Sequence, residues 1–199
     1  MTTQITDEGK WPWMQTYTGK AFVPMAPDPD LIDIRDIAIA LSREARYNGH
    51  TRTSEPYSVA QHCVLTSRVL PKPLKLMGLL HDAAEAYCKD LTWSVKSQLP
   101  EYKWRIEIPI EEAIAEHFGL SFPYPPEIKE ADNRMLATEK RDLIGPEPKP
   151  WRNGIPKPYK MKIIAWPHRE ARYQFIKAYN HLSGDKVSPF PCEWGLSDG

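Results

Sequence analysis

Two side chains that can both ligate one divalent cation stand next to each other in the run Leu79-Leu80-His81-Asp82-Ala83-Ala84-Glu85. An imidazole and a carboxylate on the edge of an apolar stretch are costly to bury unless they are paired or bound to a metal. Two further residues of this kind fall on otherwise apolar helical stripes. His62 lies beside Val59, Cys63, Thr66 and Leu70, and Asp132 shares a face with Ile128, Met135 and Glu139. His62, His81, Asp82 and Asp132 together offer two neutral nitrogens and two carboxylates. Such a set suits Mn, Co, Ni, Fe, Zn or Mg and leaves coordination positions for water and substrate. Taken singly, each has an ordinary explanation: a lone histidine beside apolar residues is more often a hydrogen-bonded core side chain, and Asp132 could be a first-turn carboxylate favoured by the helix dipole. Sequence does not fix the distances between helices, so convergence of the four is an expectation.

Helices must bring these residues together, and the chain is patterned for them. Ile34, Ile37, Ala38 and Leu41 recur at spacings of three and four, which predicts a helix from Asp33 to near Tyr47-Asn48-Gly49. A polar loop from His50 to Pro56 leads to Ser58, an N-cap for the helix that carries His62. Pro73 opens a third helix, Leu74 to about Tyr87, apolar nearly all round until His81 and therefore expected in the middle of a bundle. A fourth region runs from about Glu101 to Phe118, with Pro109 as a kink and Gly119 as a stop. Pro125-Pro126 start the helix that carries Asp132, which ends at Ile144-Gly145, and Pro167 starts a last one with Ala171, Phe175, Ala178 and Leu182 inward, closed by Gly184.

Shorter segments complete the pattern. Met14 to Met25, around Thr18-Gly19-Lys20, reads as a small hairpin. The stretch 146–160 holds five prolines and a Trp-Arg-Asn-Gly turn and reads as an ordered or semi-ordered flap, followed by a strand-like run from Met161 to Trp166. Trp11, Trp13, Trp93 and Trp151 read as packing or flap residues. The expected architecture is mainly α: one domain over 1–199, a helical bundle with a small N-terminal β-hairpin, its core at about 30–145 and 167–184.

Composition narrows the function classes. At 199 residues the chain can bury one good core. Lys plus Arg (26) equals Asp plus Glu (26), so no basic field gathers nucleic acid or an anionic membrane surface. Cys63, Cys88 and Cys192 are odd in number, with no CxxC pair, which suits a reducing compartment. The polar N-terminus lacks a signal-peptide core, and a cytoplasmic location is the expectation.

The wording around the four candidate ligands resembles the HD-domain phosphohydrolase family, whose pattern is a His, then an adjacent His-Asp, then a distant Asp. Here it reads Tyr57-Ser58-Val59-Ala60-Gln61-His62, then His81-Asp82-Ala83-Ala84-Glu85-Ala86-Tyr87, then Asp90-Leu91, then Ala131-Asp132. It is similar to the small bacterial and phage branch that acts on deoxynucleotide 5'-phosphates, and the likeness runs from about Tyr17 to Leu143. The resemblance implies an HD-type bundle in which His62, His81, Asp82 and Asp132 hold the metal. Glu85 would manage a proton through the attacking water, Arg46 would contact the phosphate, and Asp90 and Lys96 would lie near sugar and phosphate. Some relatives carry Trp where this chain has Tyr47, which leaves base preference open. His50, on the same loop as Arg46, could add a donor.

The chemistry is consistent with that likeness. Hydrolysis of a phosphate monoester needs roughly 20 kcal/mol or more of barrier lowering, while one positioned acid or base gives ~3–5 kcal/mol. A divalent ion supplies much of the remainder, and a dianionic substrate needs added cations such as Arg46 and Lys96. The implied function is dephosphorylation of a 5'-deoxynucleoside monophosphate, with a small-molecule deoxynucleotide as partner in a homo-oligomer. Alternatives are a deoxynucleoside triphosphate triphosphohydrolase of dATP type and a non-catalytic nucleotide sensor. A di-iron oxygenase would need further histidines, and His117, His168 and His181 lie outside the matching segments.

Overall fold

The computed structural model describes residues 11–151 and 155–189. The polar N-terminus, most of the Trp-Arg-Asn-Gly turn and Cys192 lie outside them. The chain is mainly helical, with a two-stranded antiparallel hairpin near its N-terminus. Strands β1 (Met14–Gln15) and β2 (Ala21–Phe22) pair Met14 with Phe22 and Gln15 with Ala21. The turn between them is closed by Gly19 N to Thr16 O at 3.0 Å, with Gly19 in the left-handed region at φ 86°. Phe22 anchors the hairpin by stacking on Tyr87 inside the core.

Helix α1 (Ile34–Arg43) starts on the Asp33 cap, whose carboxylate accepts from Arg35 N, and buries Ile34, Ile37, Ala38 and Leu41 as their spacing predicts. It stops earlier than expected. Glu44 and Ala45 turn extended, Ala45 forms an antiparallel bridge with Ser58, and Arg46 N donates to Tyr57 O at 2.9 Å. That bridge outcompetes a last helical turn and aims Arg46 into the bundle. A 3-10 turn, Arg46–Gly49, follows.

Helix α2 (Val59–Val69) begins at Ser58, whose hydroxyl accepts from Gln61 N, and every residue from Val59 to Ser67 is buried. It touches α1, α3 (Lys75–Leu80), α8 (Pro126–Leu143) and α9 (His168–Ser183), so the middle of the bundle belongs to α2 rather than to the 74–87 segment. The reason lies in side-chain size: α2 presents Ala60, Cys63, Val64, Thr66 and Ser67, which let neighbours close in, whereas Leu74 to Met77 are only half-buried. The 74–87 segment is also not one helix. It breaks at His81-Asp82-Ala83-Ala84, tightens through Ala83 N to Leu80 O and Glu85 N to Asp82 O, and resumes as α4 (Glu85–Cys88).

The remaining helices differ from expectation in detail. After α5 (Trp93–Lys96) and the short α6 (Pro100–Tyr102), residues Lys103–Glu107 form a π turn that leads into α7 (Ile108–His117). Pro109 lacks an N–H, and the chain meets this by widening the turn before it, with Ile108 N reaching Lys103 O. Residues 161–166 make no strand. Their partner is the Gln61 side chain, which donates to Ile164 O and accepts from Trp166 N, both at 2.8 Å. The end of the expected flap lies along α8 as a strap: Tyr159 N bonds Thr138 Oγ1, Arg134 stacks on Tyr159, and Arg141 holds the Tyr159 and Met161 carbonyls. Trp93 and Trp13 do not pack, being 67% and 62% exposed, while Trp151 is half-buried near Tyr47. Among the described residues no helix is long and apolar enough to cross a membrane.

Candidate metal centre

Three helical segments bring the four candidate ligands to one point. His62 Nε2 lies 3.2 Å from His81 Nε2, 3.3 Å from Asp132 Oδ1 and 3.4 Å from Asp82 Oδ2, and His81 Nε2 lies 3.4 Å from the same Asp82 oxygen. His62 comes from α2, His81 and Asp82 from the break after α3, and Asp132 from α8. Gly78 leaves room for the Leu70 side chain at the α2–α3 contact: a Cβ there would stand 2.1 Å from Leu70 Cδ1. The histidines form the floor and the carboxylates the mouth, for His62 is fully buried while Asp82 and Asp132 side chains are 21% and 17% exposed.

Hydrogen bonds aim both rings. His81 Nδ1 bonds Gly78 O at 2.9 Å and His62 Nδ1 bonds Glu139 Oε1 at 2.5 Å, so each ring turns its Nε2 to the shared point. Two lone pairs 3.2 Å apart repel unless something positive sits between them. The surroundings of His62 favour such a charge. Burial and the Arg46 charge oppose it, yet Glu139 and Asp132 lift the imidazole to about 9. His81 moves the other way, lowered by burial and by the His62 charge. Desolvation would raise Asp132, but its bond to His62 holds it well below the usual carboxylate range, and Lys129 Nζ takes its other oxygen at 2.7 Å. A point ringed by two imidazole nitrogens and two carboxylate oxygens fits a divalent cation. Cys63 Sγ lies close to His81 and Asp82, and burial keeps it a thiol.

The other expected site residues divide. Arg46 reaches the cluster, its Nη1 3.4 Å from Asp82 Oδ2 and its Nε 3.3 Å from Glu139 Oε2. Tyr47 arrives as well, but as an anchor: its hydroxyl donates to Glu139 Oε2 at 2.5 Å. The turn that carries it is strained, with Tyr47 and Asn48 at φ 57° and 50°, a conformation that costs about 1–3 kcal/mol per residue. Glu85 is buried, and its Oε2 has no hydrogen-bond partner among the described residues. Burial, then the Asp82 and Asp90 charges, push its carboxyl well above the ordinary range. Asp90 is likewise raised by burial, against the pull of Arg46. Lys96 is near enough to feel Glu85 and Asp82, but its ammonium is bound to Glu107 Oε1 at 2.5 Å. His50 stays exposed at the end of its turn, with no side-chain bond to the cluster among the described residues. His117, far along the chain, bonds Pro29 O instead.

Two residues absent from the sequence-based set belong to this site. Glu139 is fully buried and accepts from Arg46, Tyr47, Tyr57 and His62, which bring it down to about 2 against the cost of burial. Its signal was visible: it lies seven residues after Asp132 on the same apolar stripe. Tyr57 is buried with its hydroxyl 2.9 Å from Glu139 Oε1; it opens the motif that ends in His62, but nothing local in the sequence gives it a role.

The fold and these side chains define a mainly helical protein with a buried His/Asp cluster that can hold a metal ion. No family model matches the sequence. The chain is 39% identical over 173 residues to the uncharacterized protein YfdR of Escherichia coli strain K12, covering 86% of this chain and 96% of that protein, and it belongs to the YfdR family. It is also 31% identical over 126 residues to an uncharacterized protein of Rhodobacter capsulatus, covering 60% of this chain and 64% of that one.

Proposed function

We propose that this protein is a metal-dependent phosphohydrolase of the HD-domain kind that releases phosphate from 5'-deoxynucleoside monophosphates. The observation that carries the reading is the juxtaposition of four metal-ligating atoms with the Arg46 guanidinium, beside a buried Glu85 carboxyl close enough to feel the Asp82 and Arg46 charges. A divalent ion held by His62, His81, Asp82 and Asp132 would supply Lewis acidity, lowering the pKa of water toward ~7 and polarising a phosphoryl oxygen.

The chain's own residues have separate tasks. Arg46 remains charged because Glu139 and Asp82 outweigh its burial, and its Nη1 faces the cluster, where it would neutralise a phosphate oxygen. Glu85 is the proton-transfer group: its environment favours the neutral acid, which can protonate a departing 5' oxygen, and its Oε2 has no competing partner among the described residues. Asp90, close enough to feel the Arg46 and Asp82 charges, would accept from a sugar hydroxyl. Lys96 is spoken for by Glu107 and adds less to phosphate binding than the resemblance implies.

The test is a screen of deoxy- and ribonucleoside mono-, di- and triphosphates with Mn, Co, Ni, Fe, Zn and Mg on chelator-stripped protein. The reading expects inorganic phosphate from a deoxynucleoside monophosphate after metal is restored, and none from His81→Ala protein. Triphosphate released from dATP would move the assignment to the triphosphohydrolase reaction. Tight nucleotide binding with no product under any metal would mark a sensor.

A further inference from the structure

We infer that Glu139 is a positioning residue whose two oxygens serve different halves of the site, one fixing the metal ligands and the other the phosphate-binding arginine. The inference rests on the reading above that the cluster binds a divalent cation. Oε1 accepts from the Tyr57 hydroxyl at 2.9 Å and from His62 Nδ1 at 2.5 Å. Oε2 accepts from the Tyr47 hydroxyl at 2.5 Å and from Arg46 Nε at 3.3 Å. The division is clean: among the described residues no donor bridges both oxygens.

Each oxygen does something the site needs. With Nδ1–H of His62 committed to Oε1, the ring can face the cluster only through Nε2, 3.2 Å from His81 Nε2. With Nε of Arg46 committed to Oε2, the guanidinium presents Nη1 to Asp82 and the mouth. The Tyr47 tether holds the left-handed turn that starts at Arg46, so the arginine's backbone is fixed as well as its head. Glu139 is fully buried, and these donors stand in for its water. A glutamine of equal size would keep one acceptor oxygen and turn an NH2 on donors that need an acceptor. One half of the site would then lose its support.

The experiment is isothermal titration of the full chain with Mn2+, followed by titration of the Mn2+-loaded protein with inorganic phosphate. Glu139→Gln is expected to weaken Mn2+ binding by about 10–100-fold. Tyr57→Phe, which strips a donor from the Oε1 side, should weaken Mn2+ by roughly fivefold and leave phosphate affinity of the loaded protein unchanged. Tyr47→Phe should do the reverse. If Glu139→Gln does not fold, the two tyrosine variants decide by the same criterion. Variants that melt earlier yet bind Mn2+ and phosphate as wild type does, the pattern of a purely structural carboxylate, would overturn the inference while leaving the metal reading intact. Wild-type protein that binds no divalent metal would overturn both.

Discussion

Glu139 and Glu85 are both buried carboxyls beside the same His/Asp cluster, and their surroundings drive them in opposite directions. Glu139 takes four hydrogen bonds and is held at about 2, fully ionised at any working pH. Glu85 keeps an oxygen without a partner and is driven upward by burial and by Asp82 and Asp90. The contrast extends to whole walls. Around Glu139 the Tyr57 hydroxyl, the His62 ring and the Arg46 guanidinium all find partners. Among other groups that, like Glu85, feel the Asp82 charge, the Tyr124 hydroxyl is buried without a partner among the described residues, and burial with Glu107 and Asp82 lifts Glu111 to about 7. A satisfied wall spends its polar groups on holding itself in place. An unsatisfied wall stores polar groups that a ligand can use, at a cost in stability.

Exchanging the two carboxyls should separate those roles most sharply. Glu139→Ala leaves Arg46 and Tyr57 buried without their acceptor, and a loss of about 3–5 kcal/mol is expected in urea denaturation. Glu85→Gln should leave stability and Mn2+ affinity near wild type while kcat falls by about 10²- to 10⁴-fold. Equal stability losses in the two variants would erase the distinction between the walls.

A smaller effect tests the unsatisfied wall through pH. Glu111 titrates near 7 in the folded chain against 4.5 for an unperturbed glutamate, so the folded state binds more protons within that window. Stability therefore falls as pH rises from about 4.5 to about 7. Lys96 and Lys103 oppose the shift without cancelling it. Glu111→Gln should flatten the profile and stabilise the protein at pH 8 by on the order of 1–2 kcal/mol, after discounting the partly exposed carboxyl. Thermal melts at pH 4 and pH 8 give the comparison, and a variant that gains nothing at pH 8 would contradict it.

The mildest probe is a pair of phenylalanines. Tyr57→Phe removes a donor from a buried carboxylate and should cost about 1–2 kcal/mol. Tyr124→Phe removes a hydroxyl that bonds nothing among the described residues, and a change within about 0.5 kcal/mol is expected.

Periodicity made much of this legible before any coordinates. The stripes Ile34-Ile37-Ala38-Leu41 and Ala171-Phe175, the Ser58 cap and the Gly19 turn all formed as their chemistry requires. His62, His81, Asp82 and Asp132 stood out because each is a polar group on an apolar face, a cost the sequence itself displays. What escaped depended on long-range competition. The first helix was expected to run to Gly49, but the Ala45–Ser58 bridge captured its end. The 161–166 run was expected to be a strand, but a side-chain amide of Gln61 took the place of a neighbouring strand. The role of Tyr57, though the residue opens the motif before His62, is hidden because its partner lies 82 residues away. Glu139 was noticed on its stripe, yet its importance lies in four donors that no local window contains.

Phosphate release by chelator-stripped protein tests the central claim most directly. With Mn2+ or Co2+ restored, wild-type protein is expected to liberate inorganic phosphate from a 5'-deoxynucleoside monophosphate, and His81→Ala protein to liberate none. Release by the stripped protein without added metal, or by His81→Ala at the wild-type rate, would contradict it.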